Sequence, residues 1–335
     1  MSRKSIFTIA FWSILLLITF YLSGGIGVLE GIFAFVFYSI VGYIFTIIWR
    51  LITRKSYMKV SDFIIAFSYR IAAFMTVTIA ILWSFCFYQN NINPAYLPRY
   101  TITDGKKTVI FQSMAHIATD RFYEAVKNRI KEAKLAGYTL FYEWVRAWTP
   151  ENMKKFNEAM GIVFDKSLYT NLSKLYWLRE QRNKEFLGIV NNNDKNVDVS
   201  IDNLMALYEK RIKEGWKLEK TAPPINIGPL VDESMKNIWP RELSIFIYLN
   251  QAIMNFIMKN DDAQQAIMSI TGQQDIFATI LGDRNKHLAD AILESKDDKI
   301  MILYGMLHFN GVYELLQNNN PDWHVEKVEF EYPVR

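Results

Sequence analysis

The first 88 residues constrain this chain more than any other stretch, because they hold three long apolar runs and almost no acid. Ile6 to Tyr21 is uncharged and dominated by Phe, Ile and Leu. Ser23-Gly24-Gly25 interrupts it, and Ile26 to Trp49 is apolar again apart from Glu30. A third run, Phe63 to Tyr88, is broken only by Arg70. A helix needs about 20 apolar residues to cross a bilayer, so three transmembrane helices are expected, spanning about 6–23, 26–49 and 63–88. A basic start and a short apolar core also fit a cleaved signal peptide over Met1 to Gly25. Two further spans follow at once, which favours a retained first helix.

Charge sets the expected orientation. Arg3 and Lys4 precede the first span, and Arg50, Arg54, Lys55 and Lys59 lie between the second and third. The positive-inside rule makes both sites cytoplasmic. The N-terminus is then cytoplasmic and everything after Tyr88 extracytoplasmic, in an integral protein of the cell or inner membrane whose first partner is the lipid bilayer. Glu30 and Arg70 lie near span ends, where long side chains snorkel to the interface. These 88 residues carry seven Lys or Arg against two acids, while the whole chain has a net charge of +4. The remainder is therefore close to neutral, and no nucleic-acid partner is expected. A hydrophobic content of 51% excludes a disordered chain. The single cysteine, Cys86, excludes a disulfide scaffold.

After a polar, Pro-containing linker (89–105), residues 106–335 are long enough to bury a full core. Three brief apolar runs read as buried strands: Thr108 to Gln112, Tyr138 to Tyr142 and Lys299 to Tyr304. Asp120 to Ala136 has helical spacing and ends at Gly137, so the first two strands form a strand–helix–strand unit and are expected to be parallel. A helix from Asn285 to Leu293 feeds the third strand, and Thr149 to Thr279 reads mostly helical. The expected fold is α/β, with a mixed central sheet and a large helical middle region behind the membrane anchor.

The residues just past each strand carry chemistry. The first strand leads into Ser113-Met114-Ala115-His116, the second into Glu143, and the third into Gly305-Met306-Leu307-His308. Ligands in α/β proteins gather at the carboxyl ends of strands. Two imidazoles and one carboxylate there could hold a divalent metal with open positions. The small residue three before each His would let the backbone turn sharply off the strand. His287, on the expected helix, and His324, in the C-terminal tail, have no such setting. No Gly-rich phosphate loop occurs, and no second acid is placed near Glu143 for glycosidase chemistry.

The spacing of SMAH, Glu143, DRNKHLADAI and GMLHFNGVYELL resembles the TraB/PrgY/GumN/Tiki family, which is related in fold to erythromycin esterase and the haem-binding ChaN proteins. His116, Glu143, the Arg284-Asn285 pair opening a helix, His308 and Gly311 occupy that family's motif positions, and Ser113 replaces the glycine of its first GxxH. The resemblance runs over about 106–328. It implies a membrane-tethered metallopeptidase or related hydrolase acting on a peptide or protein outside the cell. His116, His308 and Glu143 would bind Mn, Co or Zn, and the metal would activate water. Glu143 would complete the metal shell or take the proton, and Arg284 would stabilise an oxyanion. Ser113, Asn285, Gly305 and Gly311 would support them. Two alternatives stand beside this: a non-catalytic domain binding peptide, lipid or haem, and a metal-independent hydrolase with a histidine base. The helical middle region would cover the crevice and govern what enters it.

Overall fold

The computed structural model describes residues 3–335 except 57, 145–147, 166, 216–222, 237 and 271–273. It divides into two compact units, Met1–Tyr88 with Asn237–Leu249, and Gln89–Lys236 with Asn250–Arg335.

The first unit contains two helices long and apolar enough to cross a membrane, α1 (Arg3–Ile52) and α2 (Val60–Phe87). Three separate spans were expected. The first two run on within α1 because no loop parts them: Gly24 alone leaves helical geometry, at φ 67° and ψ −161°. That φ lies where glycine is strongly preferred. A straight helix of 50 residues would be about 75 Å long. The Trp12 and Phe35 rings nevertheless lie 4.9 Å apart, so α1 doubles back at Gly24. Gly27 is needed beside it, since a Cβ there would stand 2.4 Å from that of Ser23. The helix α2 packs on both arms, through Tyr69 against Phe7 at 6.0 Å and Phe67 against Phe35 at 6.2 Å. Large apolar side chains such as Phe33 and Leu51 point outward, a surface that marks an interaction with something other than water.

The second unit opens with β1 (Leu97–Thr103) and β2 (Thr108–Met114), then β3 (Ile117–Ala118), α3 (Asp120–Leu135) and β4 (Thr139–Tyr142). The stretch expected as a linker thus holds a strand of its own. A helical region follows, with α4 (Pro150–Met160), α5 (Leu168–Tyr176), β5 (Arg179–Glu180), α6 (Asn183–Leu187), β6 (Lys195–Asn196) and α7 (Ile201–Lys213). It continues through α8 (Ile227–Lys236), α9 (Pro240–Lys259) and α10 (Asp261–Ile270). The N-terminal half of α9 belongs to the first unit, where Arg241 lies 4.6 Å over the Tyr21 ring. The chain then closes with α11 (Gln274–Glu294), β7 (Lys299–Gly305), α12 (Phe309–Asn319) and β8 (His324–Glu331).

One sheet organises this unit, in the order β6-β4-β7-β2-β1-β8. The first four strands are parallel, and β1 is antiparallel to both its neighbours. The fold is therefore α/β with a mixed central sheet, as expected, and β2 and β4 are parallel with β7 between them. Strand residues alternate between two cores. Ile300, Ile302 and Tyr304 of β7 face α11 and α12, where Leu288, Ile292 and Val312 are buried. Met301 and Leu303 face α3, through Phe122, Val126 and Ile130. A central strand covered on both faces reads as a continuous apolar run, which is why β7 was legible. A third core joins α4 and α7 to the N-terminal half of α11 through Phe156, Met205 and Ile276.

That third core accounts for one correction. The helix before β7 starts at Gln274, not at Arg284-Asn285. The interior Gly282 does not break it, and Arg211 of α7 grips Asp283 at 2.9 Å. A second correction concerns His324, which lies on β8 rather than in a tail.

Candidate functional site

Four adjacent parallel strands bring their carboxyl ends to one edge, and each delivers a polar side chain there. Asp198 follows β6, Glu143 follows β4, His308 follows β7 through a 3-10 turn (Met306–His308), and His116 follows β2. The helix that leads into β7, α11, adds Arg284 and Asn285 from its middle. Arg284 sits ten residues before Glu294, about 15 Å along the helix, which carries it towards the same edge.

Arg284 is the hub. Its Nη2 donates to Glu143 Oε1 at 2.5 Å and its Nε to Asp198 Oδ1 at 2.9 Å. The Tyr304 ring lies beneath the guanidinium at 5.1 Å, and its hydroxyl donates to Asp198 Oδ1 at 3.3 Å. The other oxygen of Glu143 accepts the Gly305 backbone N–H at 2.9 Å. Burial raises the Glu143 pKa, but the charge and hydrogen bond of Arg284 outweigh it and hold the carboxyl below its usual range. His308 and Glu143 flank Gly305, where a Cβ would stand 3.5 Å from His308 Cδ2 and 3.7 Å from Glu143 Oε2. Asp198 behaves differently: burial and the nearby Glu143 charge push its pKa up despite Arg284. It is 1% exposed, and its Oδ2 is without a hydrogen-bond partner among the described residues.

Burial shifts both histidines below the usual imidazole range, towards the neutral form. Burial lowers His308 to about 4, with Arg284 adding to the effect and Glu143 opposing it. Its Nδ1 meets Asn285 Oδ1 at 2.6 Å. An amide oxygen only accepts, so Nδ1 carries the proton and Nε2 keeps its lone pair. Burial likewise lowers His116, although the residue as a whole remains exposed. Tyr169 of α5 packs on the His116 ring at 4.6 Å, and burial pushes its hydroxyl up to about 12.

No family model matches the chain, and no curated protein or solved structure matches it either. The chemistry of the site rests on its own geometry.

His116, Glu143, Arg284 and His308 meet at one edge, and the supporting residues act in ways their spacing did not reveal. Asn285 is no helix cap; it orients His308. Gly311 is needed by space rather than by backbone freedom, because a Cβ there would come 2.1 Å from Asn285 Nδ2. Gly305 has φ −56°, so the turn off β7 needs no glycine. Ser113 is the sixth residue of β2, fully buried, with its Oγ unpartnered among the described residues. His287 and His324 are exposed. Asp198 was left outside the expected site, and Tyr304 and Tyr169 were missed. β6 is too short to show a period, Tyr304 hides in an apolar run, and Tyr169 sits on a helix remote in sequence.

A divalent metal on His116, His308 and Glu143 does not fit this arrangement as it stands. Both Glu143 oxygens are engaged, one by a largely covered guanidinium whose positive charge would repel a dication.

Proposed function

We propose that this chain is a membrane-anchored hydrolase that adds water to a peptide-type carbonyl. The observation that carries the reading is two neutral imidazoles set around an ion-paired Glu143 and Arg284 at the carboxyl edge of four parallel strands. His116, on the open side, takes the proton of the attacking water as general base. His308, with Nε2 unprotonated, accepts a hydrogen bond from that water and orients it. Arg284, which is charged at any physiological pH, supplies the positive potential that a tetrahedral oxyanion requires. Glu143 stays ionised, holds Arg284 in place and stabilises a protonated His116. The peptide class of substrate rests on the resemblance to the TraB/PrgY/GumN/Tiki family.

The anchor belongs to the same proposal. The doubling back of α1 at Gly24 supports a reading in which the two long apolar helices make three passes. The basic residues at its start and at 50–59 put the N-terminus in the cytoplasm and the α/β unit on the extracytoplasmic face.

A metal-dependent peptidase is the second reading, favoured by the two neutral imidazoles, and it requires Glu143 to leave Arg284. One experiment separates the readings: a peptide-library digest by the purified full chain, with and without chelator and with added Mn, Co or Zn, beside His116→Ala and His308→Ala. Turnover that survives chelation and is lost in His116→Ala supports the histidine base. Turnover restored only by a metal supports the second reading. Peptide, lipid or haem binding with no turnover in any condition sinks both and leaves a binding domain.

A further inference from the structure

Helix α5 ends where glycine is the usual residue, and this chain places a tryptophan there. The Leu178 N–H donates to the Ser173 carbonyl at 2.9 Å and the Trp177 N–H to that of Lys174 at 3.2 Å, the pairing of a helix closed by a left-handed residue. Trp177 is that residue, at φ 53°. A side chain with a Cβ is strained in this conformation. Packing offsets little of that, since Trp177 is 70% exposed. Strain kept where the fold gains nothing points to binding.

The indole opens on a cleft of about 670 Å³ lined by α5 and β5, within the size range of ligand pockets. Most charges along it are matched inside the protein. Arg179 meets Asp120 at 2.9 Å and Glu185 at 3.1 Å, and Lys174 meets Asp232 at 3.0 Å. Glu180 accepts from the Thr170 hydroxyl at 2.6 Å. Arg182 is held loosely: its side chain is 60% exposed, and it lies 3.8 Å from a Glu185 already engaged by Arg179. An open indole and a loosely held guanidinium in one cleft are the pair that dominates polypeptide recognition. They suit an apolar or aromatic side chain next to a carboxylate. The cleft also adjoins the reactive imidazole. The Gln181 N–H donates to the His116 carbonyl at 2.8 Å. Tyr169, which packs on the His116 ring, directly precedes the cleft residue Thr170.

We propose that this cleft is a subsite for an extended polypeptide segment carrying an aromatic or large aliphatic side chain beside an Asp or Glu. Trp177 stacks the first and Arg182 pairs with the second. The inference rests on the hydrolase reading for its view of the bound segment as substrate, and the test keeps the two apart. Full-length protein in lipid nanodiscs, carrying His116→Ala to prevent turnover, is titrated with capped pentapeptides in which aromatic, aliphatic, acidic, amide and basic pairs are permuted. Trp177→Gly and Arg182→Gln are made in the same background. Trp177→Gly should melt at the same temperature or slightly higher, because glycine relieves the strain, and should bind aromatic–acidic peptides about tenfold more weakly. Arg182→Gln should erase the preference for Asp or Glu over Asn or Gln. A clear fall in melting temperature in Trp177→Gly would make the indole structural and overturn the proposal. So would binding unchanged in both variants, or no peptide bound at all. Turnover by the chain with His116 intact is scored separately. Turnover without subsite binding defeats the subsite alone, and subsite binding without turnover defeats the hydrolase reading alone.

Discussion

A buried imidazole is useful only when something decides which nitrogen carries the proton, and at His308 that is Asn285, held in turn by the absence of a side chain at Gly311. A methyl group at Gly311 would displace the Asn285 amide. Gly311→Ala should therefore cost about 1–3 kcal/mol and lower kcat/KM, read from urea unfolding and peptide turnover. The low pKa of His308 makes a second prediction. The unfolded chain binds a proton near 6.5 while the folded chain waits until about 4, so stability is lost as pH falls through that window. The loss is about 3 kcal/mol at most. Urea midpoints from pH 7.5 to 4.5 should fall less steeply in His308→Asn than in the parent chain. With His116 also lowered by burial, the acid limb of kcat/KM belongs below 6.5. A limb above 7 would remove His116 as the base. At this scale the chemically unusual residues were legible, because two of only four histidines follow strands. The parts of Asp198, left outside the expected site, and of Tyr304 emerge only in the folded chain, where both share Arg284.

Among the elements, α11 links the parts of the site. Its C-terminal half lies on the sheet through Leu288, Ala289 and Ile292, and its N-terminal half packs on α4 and α7 through Ile276. Ile276 is 1% exposed, so Ile276→Ala should destabilise the fold by about 2–5 kcal/mol. It should also lower turnover, because the helix that aims Arg284 loses half its support. Unfolding followed by circular dichroism, with kcat measured alongside, checks both. The edge strands show why other elements escaped reading. In β8 the apolar residues Val325, Val328 and Phe330 break period two, because a bulge shifts its register opposite Thr101 and Ile102. Most of the strand is exposed, so no burial pattern marks it. By contrast β7 is covered on both faces, and its run of five consecutive apolar residues made it plain.

For the whole molecule, the prediction concerns sidedness. Cys86 is the single cysteine and is buried, while Leu135 is 91% exposed. Leu135→Cys in a Cys86→Ser background should react with a membrane-impermeant maleimide in intact cells. Labelling only after lysis would reverse the proposed orientation. Replacing Arg50, Arg54, Lys55 and Lys59 with neutral residues should weaken the orientation in the same assay. The local sequence was enough for an apolar, basic-flanked N-terminal region, an α/β class, and two imidazoles and a carboxylate at strand ends, because hydropathy, period and strand termini are short-range properties. The fold-back at Gly24, the place of β7 between β2 and β4 and the commitment of Glu143 to Arg284 arise between residues far apart in the chain. Their energies come from packing and from charges brought together in low dielectric, so they exist only once the chain has closed.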